Sequence, residues 1–119
     1  MSAKTIRHLI IGLLMFSGVF HLAVALLGSA PGLGLPLAAF GVIYTMISFY
    51  VRRDTNDGSK THSRNAIIAA IVACSAGLAL GGFHYLANGG PIALPIMFLI
   101  DVAVIVAGVL WFMKVRAKA

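Results

Sequence analysis

Acidic residues are scarce in this sequence: three aspartates and no glutamate stand against nine lysines and arginines in 119 residues. From His8 to Val51 there is no Asp, Glu, Lys or Arg at all. Cysteine occurs once, as Cys74 inside an apolar run. That excludes an intrachain disulfide and leaves the redox compartment unread. Reactive thiols need electropositive, partly exposed surroundings, so Cys74 reads as a small buried side chain. Charged residues make up only 10% and hydrophobic ones 61%, where a soluble domain has roughly a quarter charged and half apolar. A chain of this length has room for one domain, and it could not hide that much apolar surface in water. Lipid is the solvent that suits it.

Missing motifs narrow the field further. There is no Ser/His/Asp or Cys/His nucleophile set, phosphate-cradling glycine loop, CxxCH or HExxH, which argues against a soluble-type enzyme. The segment Asp54-Thr55-Asn56-Asp57-Gly58 lacks the spacing and the closing Glu of a calcium loop. The net charge of +6 does not imply a nucleic-acid partner. The basic residues fall in three short clusters: Lys4 and Arg7; Arg52, Arg53, Lys60 and Arg64; Lys114, Arg116 and Lys118. None is interleaved with aromatic rings as base stacking requires. All flank apolar runs, where membrane topology puts them.

Four apolar runs are present, and they predict an all-α, up-down-up-down four-helix transmembrane bundle with spans at about 9–27, 33–51, 66–87 and 92–113. The first two are parted by Gly28-Ser29-Ala30-Pro31-Gly32. The second is short for a bilayer that needs about 20 residues, so it is expected to start near Leu33 with Pro36 in its first turn. The polar segment Arg52–Asn65, with its Asp-Gly, Ser, Thr and Asn, reads as turn and loop. Asn88-Gly89-Gly90-Pro91 closes the third run. The first run exceeds the 7–15 or so apolar residues of a signal peptide, so it is read as a retained helix.

The nine basic residues lie with the N-terminus, the middle segment and the C-terminus, and the other two turns have none. The positive-inside rule then puts both ends in the cytoplasm, in a bacterial or archaeal plasma membrane as the simplest setting. A faint parallel repeat is also visible. Phe20-His21, a Gly/Pro turn, Leu35-Pro36 and a basic end are echoed by Phe83-His84, a Gly/Pro turn, Leu94-Pro95 and a basic end. Such a pattern suits duplication of a two-helix hairpin about an axis along the membrane normal.

In lipid, helices pack through small residues and polar contacts. The third run has Ala69, Ala73, Gly77 and Gly81 at every fourth position, followed by His84. The first has Gly18, Ala25 and Gly28 around His21, and the second has Gly41, Tyr44, Thr45 and Ser48 on one stripe. On the fourth, Asp101 shares a face with Met97, Ile105 and Gly108. These stripes are expected to face inward. Trp111, Phe112, Phe49 and Tyr50, at the inner ends of the spans, read as an interfacial aromatic belt. His8 and His62 are expected to be solvated.

Four residues stand out as a candidate site. Asp101 is the only acidic residue within a span and lies about 13 Å in from Ile92 at about 1.5 Å per residue. A lone carboxylate there costs at least about 2.5–3.5 kcal/mol on insertion scales, so it needs a partner or a proton. Tyr44 is at matching depth on the second span. His21 and His84 sit nearer the outer face on helices that are diagonal in such a bundle, where they could meet across its axis. Two imidazoles can supply both axial ligands of a b-type haem or help hold a quinone, while two alone fill half of a tetrahedral metal site. Taken singly, each histidine is also explained by a bond to interfacial water or a carbonyl. Three function classes follow: a non-enzymatic accessory or structural subunit working as a homo-oligomer or in a larger membrane complex; a haem b or quinone redox bundle using His21 and His84; and a small proton-coupled transporter centred on Asp101. The span count is that of small multidrug-resistance exporters, but their first-span glutamate has no counterpart in a chain without glutamate, and no family is assigned.

Overall fold

The computed structural model describes the backbone over residues 3–28, 32–57 and 60–117, and side chains over 4–28, 32–52 and 64–114. Among the described residues the chain is all-α, with helices α1 (Ala3–Leu27), α2 (Gly34–Asp57), α3 (Lys60–Asn88) and α4 (Ala93–Ala117). Each contains a stretch long and apolar enough to cross a membrane: Lys4–Leu27, Gly34–Arg52, Arg64–Asn88 and Ala93–Lys114.

The turns follow from glycine and proline chemistry. Gly89 ends α3 in the left-handed region (φ 72°), and its N–H donates to the Tyr85 carbonyl at 2.7 Å. That closes the helix as an αL cap, a conformation that suits a residue without Cβ. Gly28, at φ 66°, follows α1 in the same way. Pro36 and Pro95 are each the third residue of their helix. There the missing N–H would have had no intrahelical acceptor.

One expectation is corrected. The segment read as a polar turn from Arg52 to Asn65 is mostly helical, because α2 continues to Asp57 and α3 begins at Lys60. The apolar signal ends where hydrocarbon ends, but backbone hydrogen bonding has no reason to end there. Asp, Asn, Thr and Ser are only mildly unfavourable in a helix.

Each helix packs against its neighbours in sequence, and α4 returns to α1 to close a ring of four. This arrangement is consistent with up-down-up-down order. The bundle measures 46 × 23 × 19 Å. Small residues set the closest approaches. A Cβ on Gly18 would stand 2.9 Å from the Gly41 carbonyl oxygen and 3.0 Å from the Thr45 nitrogen, so α1 and α2 touch backbone to backbone. On α4, a Cβ on Gly108 would meet Ile71 of α3 at 2.9 Å. The Ser48 hydroxyl of α2 donates to the Ile11 carbonyl of α1 at 2.9 Å. Interhelical bonds of this kind average about 0.6 kcal/mol in a membrane, so Ser48→Ala should lower unfolding stability in mixed micelles by about that much. A Ser48→Ala bundle of unchanged stability would deny the bond a role.

The predicted stripes on α2 and α4 do face inward: Gly41, Tyr44 and Ser48 are buried, as are Met97, Asp101 and Gly108. On α3 the phase shifts by a residue. Ala69 is exposed, and Ala66, Ala70 and Cys74 take the buried line. Trp111 also departs from the belt reading, since it is buried in the core with Ile6, Ile10 and Val51. Phe49 and Tyr50 are exposed.

Candidate functional site

Two apolar clusters fill the interior. One gathers Ile6, Ile10, Leu14, Val51, Ile67 and Val104, and the other Val24, Leu37, Leu94 and Met97. The buried polar side chains of the described residues are Ser17, His21, Ser48 and Asp101.

Tyr44 is the hub. It is fully buried, and Asp101 and Cys74 beside it are 2% and 1% exposed. Its hydroxyl points from α2 towards α3 and donates to the Ala73 carbonyl at 3.4 Å. The space it occupies is left by Gly77, where a Cβ would come within 2.6 Å of the phenol oxygen and 3.5 Å of Asp101 Oδ2. Gly77 is therefore the place where a hydroxyl from α2 and a carboxyl from α4 meet on the surface of α3. The Cys74 thiol, one turn earlier on α3, adjoins both groups. The other carboxyl oxygen, Oδ1, is buried with no hydrogen-bond partner, an uncommon state for a polar atom inside a protein.

His21 enters from α1. Its Nδ1 lies 2.7 Å from the Ser17 carbonyl oxygen and 3.3 Å from the Ser17 hydroxyl. A carbonyl can only accept, so Nδ1 carries the hydrogen. The imidazole then stands edge-on to the Tyr44 ring, 5.0 Å between centroids at 87°, a favoured geometry for two aromatic rings. Phe40 flanks Tyr44 at 5.8 Å.

His84 is set apart. It is half-buried at the end of α3, where the Asn88 amide donates to its backbone carbonyl at 3.3 Å and lies 3.4 Å from its Nδ1. Its side chain lines an open cleft with Leu33, Gly90, Pro91 and Leu94. The four predicted residues thus divide. Tyr44 touches both Asp101 and His21, while the polar contacts of His84 stay on its own helix. Among the described residues no hydrogen bond or ring contact joins His21 to His84, and no three His, Cys, Asp or Glu side chains form a group able to hold a metal ion.

Sequence reasoning missed two members of the cluster. Ser17 was readable as the residue four before His21. Cys74, three before Gly77, was read for its burial alone. Chemically, the cluster offers a carboxyl, a phenol, a thiol and an imidazole in a region without described cations, an arrangement suited to holding a proton or a polar contact between helices. Comparison with protein-family models, curated proteins and solved structures finds no match for this chain.

Proposed function

We propose that this chain is a small multi-pass subunit of a plasma or inner membrane, both ends cytoplasmic, which works non-enzymatically by associating within the bilayer. The observation that carries this reading is how the bundle divides its surface. Small residues are turned inward at Gly18, Gly41, Gly77 and Gly108, while every helix turns large apolar side chains outward, among them Leu26, Leu35, Phe83 and Leu99. Its inward hydroxyls act as clamps between helices: Ser48 holds α1, and Tyr44 holds α3. The outward face is left to lipid and to a partner, either a second copy or a larger membrane complex. Native mass spectrometry from a gentle detergent tests this. A fixed oligomer or a stoichiometric partner is expected, and a bare monomer at every detergent and protein ratio would refute it.

A further inference from the structure

Asp101 is nearly inaccessible, and the groups acting on it are the Tyr44 hydroxyl of α2 and the Cys74 thiol of α3. The His21 imidazole of α1 reaches the cluster through the Tyr44 ring. None of the described groups on these three helices brings a lysine or arginine to the carboxyl. A buried carboxylate without a counter-charge is among the most costly arrangements available to a protein.

Counting hydrogens leads to the same place. The Tyr44 hydroxyl hydrogen can turn to the Ala73 carbonyl, 3.4 Å away, or to the carboxyl beside it. In neither position does it reach Oδ1, which is buried with no hydrogen-bond partner. A carboxylate oxygen left without any donor inside hydrocarbon is costly, whereas a carboxyl that holds a proton carries no charge to satisfy. From this geometry we propose that Asp101 is an intramembrane proton-binding site, whose carboxyl holds a proton against the Tyr44 oxygen and exchanges it when the bundle opens. The proposal goes beyond the subunit reading and does not rest on it.

Infrared spectroscopy of the full chain in proteoliposomes, labelled with carboxyl-13C aspartate, tests this directly. Only three aspartates contribute, and Asp54 and Asp57 lie in the polar segment. At neutral pH one protonated-acid carbonyl band is expected, carrying the 13C shift and moving in D2O, beside carboxylate bands from the other two. The double variant Asp54→Asn, Asp57→Asn should keep the acid band. Tyr44→Phe should keep it at higher frequency, because its acceptor is gone, and Asp101→Asn should remove it. The band should bleach on raising the pH and return on lowering it. Carboxylate bands alone in the wild-type chain, an acid band lost in the double variant, or a band that neither exchanges in D2O nor responds to pH would each overturn the proposal. None of these outcomes bears on the oligomeric state, so the two readings fail separately.

Discussion

Gly18→Ala should loosen the bundle, while Gly12→Ala on the same helix should leave it as stable or slightly firmer. The added carbon is the same in both. At Gly12 a Cβ meets nothing within 4 Å, so the substitution gains only the better helix propensity of alanine, up to about 1 kcal/mol in a helix interior. At Gly18 it would meet the Gly41 carbonyl oxygen at 2.9 Å and the Thr45 backbone nitrogen at 3.0 Å, with the Thr45 hydroxyl closer still. A side chain can rotate away, but two backbone atoms cannot. The helices must separate, and overpacking of this kind costs about 1–3 kcal/mol. Separation also stretches the Ser48–Ile11 bond on the same interface. Unfolding in mixed micelles should show opposite signs for the two variants. Equal effects would mean that α1 and α2 do not cross at Gly18 and Gly41.

Tyr44 separates packing from hydrogen bonding. Tyr44→Phe removes the long bond to Ala73 and the phenol's contact with Asp101 and keeps the ring against His21 and Phe40, so a loss of about 1 kcal/mol is expected from two interhelical polar contacts. Tyr44→Ala removes the largest fully buried side chain among the described residues and leaves a void between helices. Truncating a buried aromatic ring costs about 3–5 kcal/mol in soluble cores. The lower end applies in a bilayer, where contact rather than water exclusion drives association. Packing should therefore outweigh the hydrogen bond several-fold. Matching losses for Phe and Ala would place the hydroxyl, and not the ring, at the centre of the site.

Much of the architecture was legible because hydrocarbon imposes a coarse rule. Four apolar runs bounded by glycine, proline or basic residues became four helices, and the stripes around Tyr44 and Asp101 turned inward because Tyr44, Thr45 and Ser48 on α2 and Asp101 on α4 are the polar exceptions within apolar spans. The rest was hidden for physical reasons. Alanine and glycine are scattered around all sides of α3, so its small residues do not reveal its rotation, and the buried line fell on Ala66, Ala70 and Cys74 rather than Ala69. Hydropathy marks the edge of the membrane and not the end of a helix, which is why α2 and α3 run on to Asp57 and from Lys60. Trp111 suits an interface or a core equally by composition, and only the packing of Ile6 and Ile10 against it decides. The cluster itself was half visible. Tyr44, Asp101 and His21 announced themselves, but Ser17 and Cys74 did not, and Gly77, whose missing side chain lets Tyr44 and Asp101 meet, looked like one more packing glycine.

The two histidines share a sequence pattern but not an environment. Phe20-His21 and Phe83-His84 match in sequence, yet His21 is buried against Ser17 and Tyr44, and His84 faces an open cleft beside Asn88. The difference lies four residues away: Ser17 precedes one imidazole from within the helix, and Asn88 follows the other at the helix end.

All of this depends on four helices crossing a bilayer with their cationic ends gathered at one surface. Reporter tags placed at Gly32, at Ser59 and at Gly90, in chains that otherwise keep every basic residue, measure that arrangement directly. The tags at Gly32 and Gly90 should respond from outside the cell and the one at Ser59 from the cytoplasm. A tag at Gly32 or Gly90 responding from the cytoplasm, or one at Ser59 from outside, would contradict the topology and with it the buried cluster built on Tyr44 and Asp101.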